Sequence, residues 1–317
     1  MNGKRGDDVT VGSRGVAYAQ LALSMLIVGL CVTLGKMAVE HVPVVALAGV
    51  RCLSAAVALW PLARFEPRPG PMGASERRDL VLQTFFGVFA FTLLMLGGVQ
   101  RTGAAEAGLI AATMPLAILV LALPLLGEGL SARAVLAALI ASLGIAVLTF
   151  AGSGSGGGGA SRALGNALVA AAIVAEALYT IFAKRLADRL PPATMAVRLN
   201  LVALLFFAPL LVLQPWARLL AETPAHIWLI GILYGVGTSG VALILWYRGT
   251  RRVRGGTAGL FTVFLPVGAI LSAAFLLGEE IGARHLIGGV VIATALAIGL
   301  APLQRGMPFL RGFRPRA

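Results

Sequence analysis

Glu176 lies in the apolar run LVAAAIVAEALYTIF (residues 168–182), with Tyr179 three residues later on the same helical face. A charge at the centre of a bilayer costs at least ~2.5 kcal/mol on insertion scales, so a carboxyl in such a run is either a hydrogen-bonded or protonated packing group or a working one. As a working group it could bind a substrate amine or carry a coupling proton, with the Tyr179 hydroxyl beside it. Arg51 and Arg198 occupy matching places in two other apolar stretches. A guanidinium there either pins helices together and snorkels, or grips a carboxylate through two parallel hydrogen bonds. Glu106 opens a further stretch, as an exposed N-terminal carboxylate or as a residue at the mouth of a path.

Pro115 and Pro266 fall inside apolar stretches, where each removes an amide donor and crowds the carbonyl of Ala111 or Thr262. The result is either a plain kink or a bend whose freed carbonyls line a cavity and permit rocking. The phrases LLGEGLSAR (125–133) and LLGEEIGAR (276–284) place Gly127 with Glu128 and Gly278 with Glu279. Between two helices, glycine supplies a permissive backbone and glutamate near the next helix start suits its dipole, so both pairs read as structural turns. Lys36 and Lys184 read as interfacial anchors, and Trp228 and Trp246, near opposite ends of one stretch, as belt residues.

The elements that must hold these residues follow from composition. With 58% hydrophobic and 12% charged residues and a mean hydropathy of +0.91, the chain has more apolar surface than a soluble fold of 317 residues could bury. The net charge of +13 does not indicate nucleic acid, because the basic residues punctuate apolar runs and form no water-facing patch. Two cysteines in apolar stretches (Cys31, Cys52) and three scattered histidines suggest neither a disulfide framework nor a metal cluster, and no cofactor is expected.

Charges, Gly/Pro clusters and polar turns divide the chain into ten apolar segments: 16–38, 43–63, 80–99, 104–126, 132–151, 164–183, 193–213, 226–247, 257–277 and 284–303. Each approaches the roughly 20 residues a helix needs to cross ~30 Å of hydrocarbon. Without barrel-like alternation, only helices keep every backbone amide paired in lipid, so the expected class is an all-α membrane protein of ten transmembrane helices. The first segment is too long for a signal h-region and is expected to be retained. With a cytoplasmic N-terminus, the inner connections and tails hold Lys4, Arg5, Arg14, Arg64, Arg68, Arg77, Arg78, Arg133, Lys184, Arg185, Arg189, Arg248, Arg251, Arg252, Arg254, Arg305, Arg311, Arg314 and Arg316; the outer ones hold Arg101, Arg162, Arg218 and Arg284. That asymmetry puts both termini in the cytoplasm.

At an offset of 151, residues 107–133 lie over 258–284, matching Ala107 to Ala258, Pro115 to Pro266, Glu128 to Glu279 and Arg133 to Arg284. A weaker match with one gap pairs Lys36, Pro43 and Arg51 with Lys184, Pro191 and Arg198. The reading is a cytoplasmic tail (1–15), a five-helix repeat (16–151), a Gly/Ser-rich periplasmic linker (152–163), a second five-helix repeat (164–303) and a basic cytoplasmic tail (304–317). Five is odd, so the second copy enters the membrane inverted, the design of many secondary transporters with a midplane site between the halves.

The doubled Gly-Glu pair after a proline-containing helix, with its small-residue entries TGAAEAGLIAATMP and GGTAGLFTVFLP, resembles the EamA-like transporters of the drug/metabolite transporter superfamily across residues 16–303. The resemblance implies an inner-membrane carrier of small organic metabolites, often an exporter of amino acids or related compounds. It further implies that the first four helices of each repeat surround a cavity and the fifth braces the outside. An uptake permease or exchanger of the same fold is the alternative, and an enzyme acting on a lipid-linked substrate a distant third, since no convergent His/Asp/Glu set appears. The expected partners are a small-molecule substrate and the bilayer, with no nucleic acid. No P-loop is present and no ATPase partner is expected, and the chain would work as a monomer or homodimer.

Overall fold

The computed structural model describes residues 11–67, 70–102, 104–129, 131–149, 159–187, 189–277 and 282–300, and every regular element among them is helical. In chain order the helices are α1 (Val11–Val39), α2 (Val44–Phe65), α3 (Ala74–Thr102), α4 (Ala104–Ala111, resuming as Met114–Leu126), α5 (Ala132–Thr149), α6 (Gly159–Ala187), α7 (Pro192–Val212), α8 (Ala225–Thr250), α9 (Gly255–Leu276) and α10 (Ala283–Leu300). A short helix, Trp216–Glu222, precedes α8. The ten apolar segments therefore meet seven helices long and apolar enough to cross a membrane (α1 to α3 and α6 to α9) and three shorter apolar ones within α4, α5 and α10. Phe65 (88%), Val212 (81%) and Phe275 (83%) stand exposed on their flanks, a surface suited to lipid.

Packing follows the duplication. The most extensive interfaces join α5 to α10, α1 to α9, α2 to α7 and α3 to α6; α1 also packs on α8, and α4 on α6. Exchanging each helix for the one five places along turns this pattern into itself: α2 with α7 and α5 with α10 are self-paired, α1 with α9 becomes α6 with α4, and α1 with α8 becomes α6 with α3. The largest interfaces thus cross between repeats, so neither repeat buries its core alone. Where α1 crosses α9 the backbones nearly touch: a Cβ built on Gly268 would lie 3.1 Å from the Gly29 Cα and overlap the Leu26 carbonyl. Only glycine fits there.

Two irregularities also repeat. α3 and α8 each contain a π-helical stretch, Phe85–Ala90 and Val236–Ala242, whose starts are 151 positions apart. α4 breaks at residues 112–113, and α9 tightens into a 3-10 turn over Phe261–Val263. The α4 break comes just before Pro115, which therefore sits in the first turn of the resuming helix, not mid-helix as the sequence reading places it, while Pro266 lies within α9 three residues after its 3-10 turn. In a first turn the amide that proline lacks has no intrahelical acceptor, so the ring costs no hydrogen bond.

The first Gly-Glu turn is described as well. Gly127 closes α4 at φ 65°, the left-handed conformation that glycine adopts without strain, and Ser131 caps α5 by accepting the Ala134 amide at 3.1 Å. Gly278 and Glu279 lie outside the described residues, as do residues 150–158, which include most of the linker, 1–10 and 301–317.

Candidate functional site

A cavity of about 350 Å³ opens in the middle of the bundle, between α1, α2, α3 and α6 to α8, with α4 and α9 closing it. Its frame is two-fold. Met114 and Leu265, the residues before the two prolines, both line it and are 151 positions apart; so do Gly87 with Thr238 and Val88 with Ser239, from the two π-helical stretches. Val28 and Glu176 are equivalent lining positions on α1 and α6, 148 apart. Its chemistry is not two-fold, because an acid on α6 replaces an aliphatic group on α1.

The cavity brings Glu176, Tyr179 and Arg51 together. Glu176 is half-buried and lies within the field of Arg51. Arg51 neighbours Tyr234 and Cys52, while its buried Nε has no hydrogen-bond partner among the described residues. α8 approaches closely enough to deliver Tyr234 because residue 235 is glycine: a Cβ there would lie 2.7 Å from the Arg51 Cα. Gly87 plays the same part for Tyr179, whose ring occupies the space a Cβ would need.

Behind Tyr179 runs a buried polar chain that the sequence reading did not find. The Tyr179 hydroxyl neighbours that of Tyr247, and Gln83 Nε2 donates to the Tyr247 oxygen at 2.9 Å. One turn earlier on α3, Asp79 pairs with Arg185 of α6 at 3.0 Å. The π-helical stretch of α8 is held from two sides. Asn200 of α7 donates to the Ser239 carbonyl at 2.9 Å, and Ser24 of α1 to that of Ala242 at 2.7 Å. A register change in a helix leaves carbonyls without an amide, and these side chains satisfy them in a region without bulk water.

Trp246 corrects an expectation: it is 3% exposed and lines the cavity, so it is no belt residue. The spacing Ser239, Ala242, Leu243, Trp246 is one helical face, and all four line the cavity, a periodic signal legible in the sequence. Arg198 stands apart from the cavity, in a groove with Trp60, Arg64 and Thr194. Pro115 and Pro266 flank the cavity through their neighbours, and the Glu106 side chain lies outside the described residues. Lys184 Nζ donates to the Thr250 carbonyl at 2.5 Å, at the end of α8.

Glu128 has a structural role, though not toward the helix that follows it. Its carboxylate accepts the amides of Gly255 at 2.6 Å and Gly256 at 3.1 Å, capping α9 in the other repeat. Glu66, at the end of α2, likewise accepts the amides of Ala193 at 2.9 Å and Thr194 at 2.8 Å, capping α7. Both ties bridge the repeats, and neither partner is near in sequence.

Comparison with known proteins places this geometry. The model of the EamA-like transporter family matches residues 15–150 and again 163–300. An uncharacterized transporter of Bacillus subtilis, YetK, is 33% identical over 288 residues, 90% of this chain and 87% of its own. A second from the same organism, YyaM, is 24% identical over 65% of this chain and 67% of its own. A solved crystal structure superposes with a TM-score of 0.73 over 90% of this chain and 96% of its own at 22% identity, a likeness of fold.

Proposed function

The chain belongs to the EamA-like transporter family, and from that premise we propose that it is a secondary active transporter of small organic metabolites, exporting amino acids or related compounds by alternating access. The observation that carries this reading is the pairing of opposite charges in one central cavity: Glu176 to meet an ammonium and Arg51, with its unsatisfied Nε, to meet a carboxylate. The apolar remainder of the lining, Met25, Val28 and Phe91 among it, suits a small side chain. The paired π-helical stretches, the break in α4 and the 3-10 turn in α9 supply backbone at the cavity wall that can change register as the repeats rock.

In this reading the seven long and three shorter helices are ten spans of the inner (plasma) membrane, two inverted units of five with both termini cytoplasmic. Supporting the sidedness, the start of α1, the end of α4 and the starts of α5 and α9 gather at one end of the bundle, where the charge asymmetry puts the cytoplasm. Cysteines introduced singly at 154 and 252 test it: a membrane-impermeant thiol reagent applied to whole cells is expected to label the first and spare the second. The reverse pattern overturns the topology.

The protein works here as a monomer or homodimer, with no ATPase partner, and gradients set its direction. Cells with and without it, loaded with labelled amino acids, are expected to differ in efflux, at least severalfold for the substrate. Equal efflux of every amino acid and amine tested, with faster uptake of one, would replace export by import.

A further inference from the structure

At the end of the bundle remote from the central cavity, a second pocket of about 340 Å³ lies where both repeats meet α1. Arg14 of α1, Arg133 of α5, and Arg252 and Arg254 ahead of α9 line it, with Ser131 between them. Among the described residues Glu128 is the only acidic group in the lining, and its two oxygens are already engaged by the Gly255 and Gly256 amides. Arg254 is partly committed, donating to the Gly129 carbonyl at 3.0 Å and standing 3.9 Å from the Glu128 carboxylate, and Arg133 reaches the Gly299 carbonyl at 3.4 Å. Arg14 and Arg252 make no hydrogen bond or ion pair among the described residues, and both are exposed. The floor is apolar, built on Leu119 and Leu123 of α4.

Four guanidiniums around a pocket whose one carboxylate is taken make an anion site, and their number selects for phosphate: each planar fork can engage two phosphate oxygens, and a single carboxylate could not occupy them all. We propose that this pocket binds a phosphate-bearing anion, as a lipid headgroup whose chain lies on the leucine floor or as a free phosphate. Pockets of basic residues between helices at the cytoplasmic side of membrane proteins hold anionic headgroups by the same chemistry. The inference stands apart from the transport reading, and its occupant would tie Arg14 at the start of α1 and Arg133 of the first repeat to Arg252 and Arg254 of the second.

The test uses the full chain in a zwitterionic detergent, titrated with short-chain phosphatidylglycerol and, separately, with inorganic phosphate, against short-chain phosphatidylcholine as blank. Binding of at least one anionic probe is expected, weakened about thirtyfold in the R14Q/R252Q double variant, since each basic residue near an anionic surface contributes about fivefold. Phosphatidylglycerol alone binding identifies the headgroup as the source, and phosphate binding as well identifies the free anion. The pocket is overturned if neither probe binds, or if R64Q/R77Q, altered elsewhere among the basic connections, weakens binding as much. Arg14 and Arg252 bond to no other element among the described residues, so the unfolding temperature of R14Q/R252Q should match that of the wild type and keep the comparison valid.

Discussion

Glu176→Gln is expected to reduce proton-driven flux in proteoliposomes to the level of protein-free vesicles, with yield and unfolding temperature unchanged. Glutamine copies the shape of the side chain but can neither ionise nor exchange a proton, and no hydrogen bond within the protein depends on the Glu176 carboxylate in the described structure. The loss therefore reports chemistry and not packing. The readout divides the roles that a buried carboxyl can have. A proton carrier gives a variant that ignores an imposed pH gradient while still exchanging substrate across equal pH. A group that only meets a substrate ammonium gives a raised KM with the gradient response intact. Wild-type coupled flux removes Glu176 from the mechanism and leaves it a packing residue of α6.

Much of this frame was legible in the sequence because it is set locally. An apolar run of about 20 residues in lipid has a helix as its only open-ended solution, and the offset of 151 fixes the duplication. Glu176 and Arg51 stood out because an ionisable group in such a run is costly. The π-helical stretches gave no such signal: neither FFGVFA nor VGTSGVA carries a charge or a proline, and in α8 the carbonyls of Ser239 and Ala242 are met by Asn200 and Ser24 from other helices. Glu128 was legible as structural but not as a cap of α9, because the amides it accepts lie 127 and 128 residues away. The helix break ahead of Pro115 and the 3-10 turn ahead of Pro266 are the same kind of case. Proline announces a disturbance, and the packing of α4 and α9 decides on which side of the ring it falls.

Arg51→Gln is expected to raise the KM for substrates bearing a carboxylate by about ten- to a hundredfold, the worth of a charge-assisted hydrogen-bonded pair at about 1.5–3 kcal/mol, and to leave the matching decarboxylated amine almost untouched. Arg198→Gln, the equivalent change in the other repeat, is expected to stay within about twofold of wild type for both. The two arginines part company through their neighbours. Arg51 is met by Tyr234, whose counterpart 151 positions earlier is Gln83. Gln83 instead gives its amide to Tyr247, inside the chain that backs Tyr179, while Arg198 stands in a groove with Trp60 and Arg64. On the transport reading proposed above, a duplicated frame would open alike to either side, while an amino acid, with a positive and a negative end, would need a site that has both as well. Replacing one member of each symmetric pair, Val28 against Glu176 and Gln83 against Tyr234, gives the cavity that polarity while the helices keep their two-fold packing. Equal losses in Arg51→Gln and Arg198→Gln would mean that both guanidiniums act on the substrate path, and the assignment of the carboxylate to Arg51 would fall.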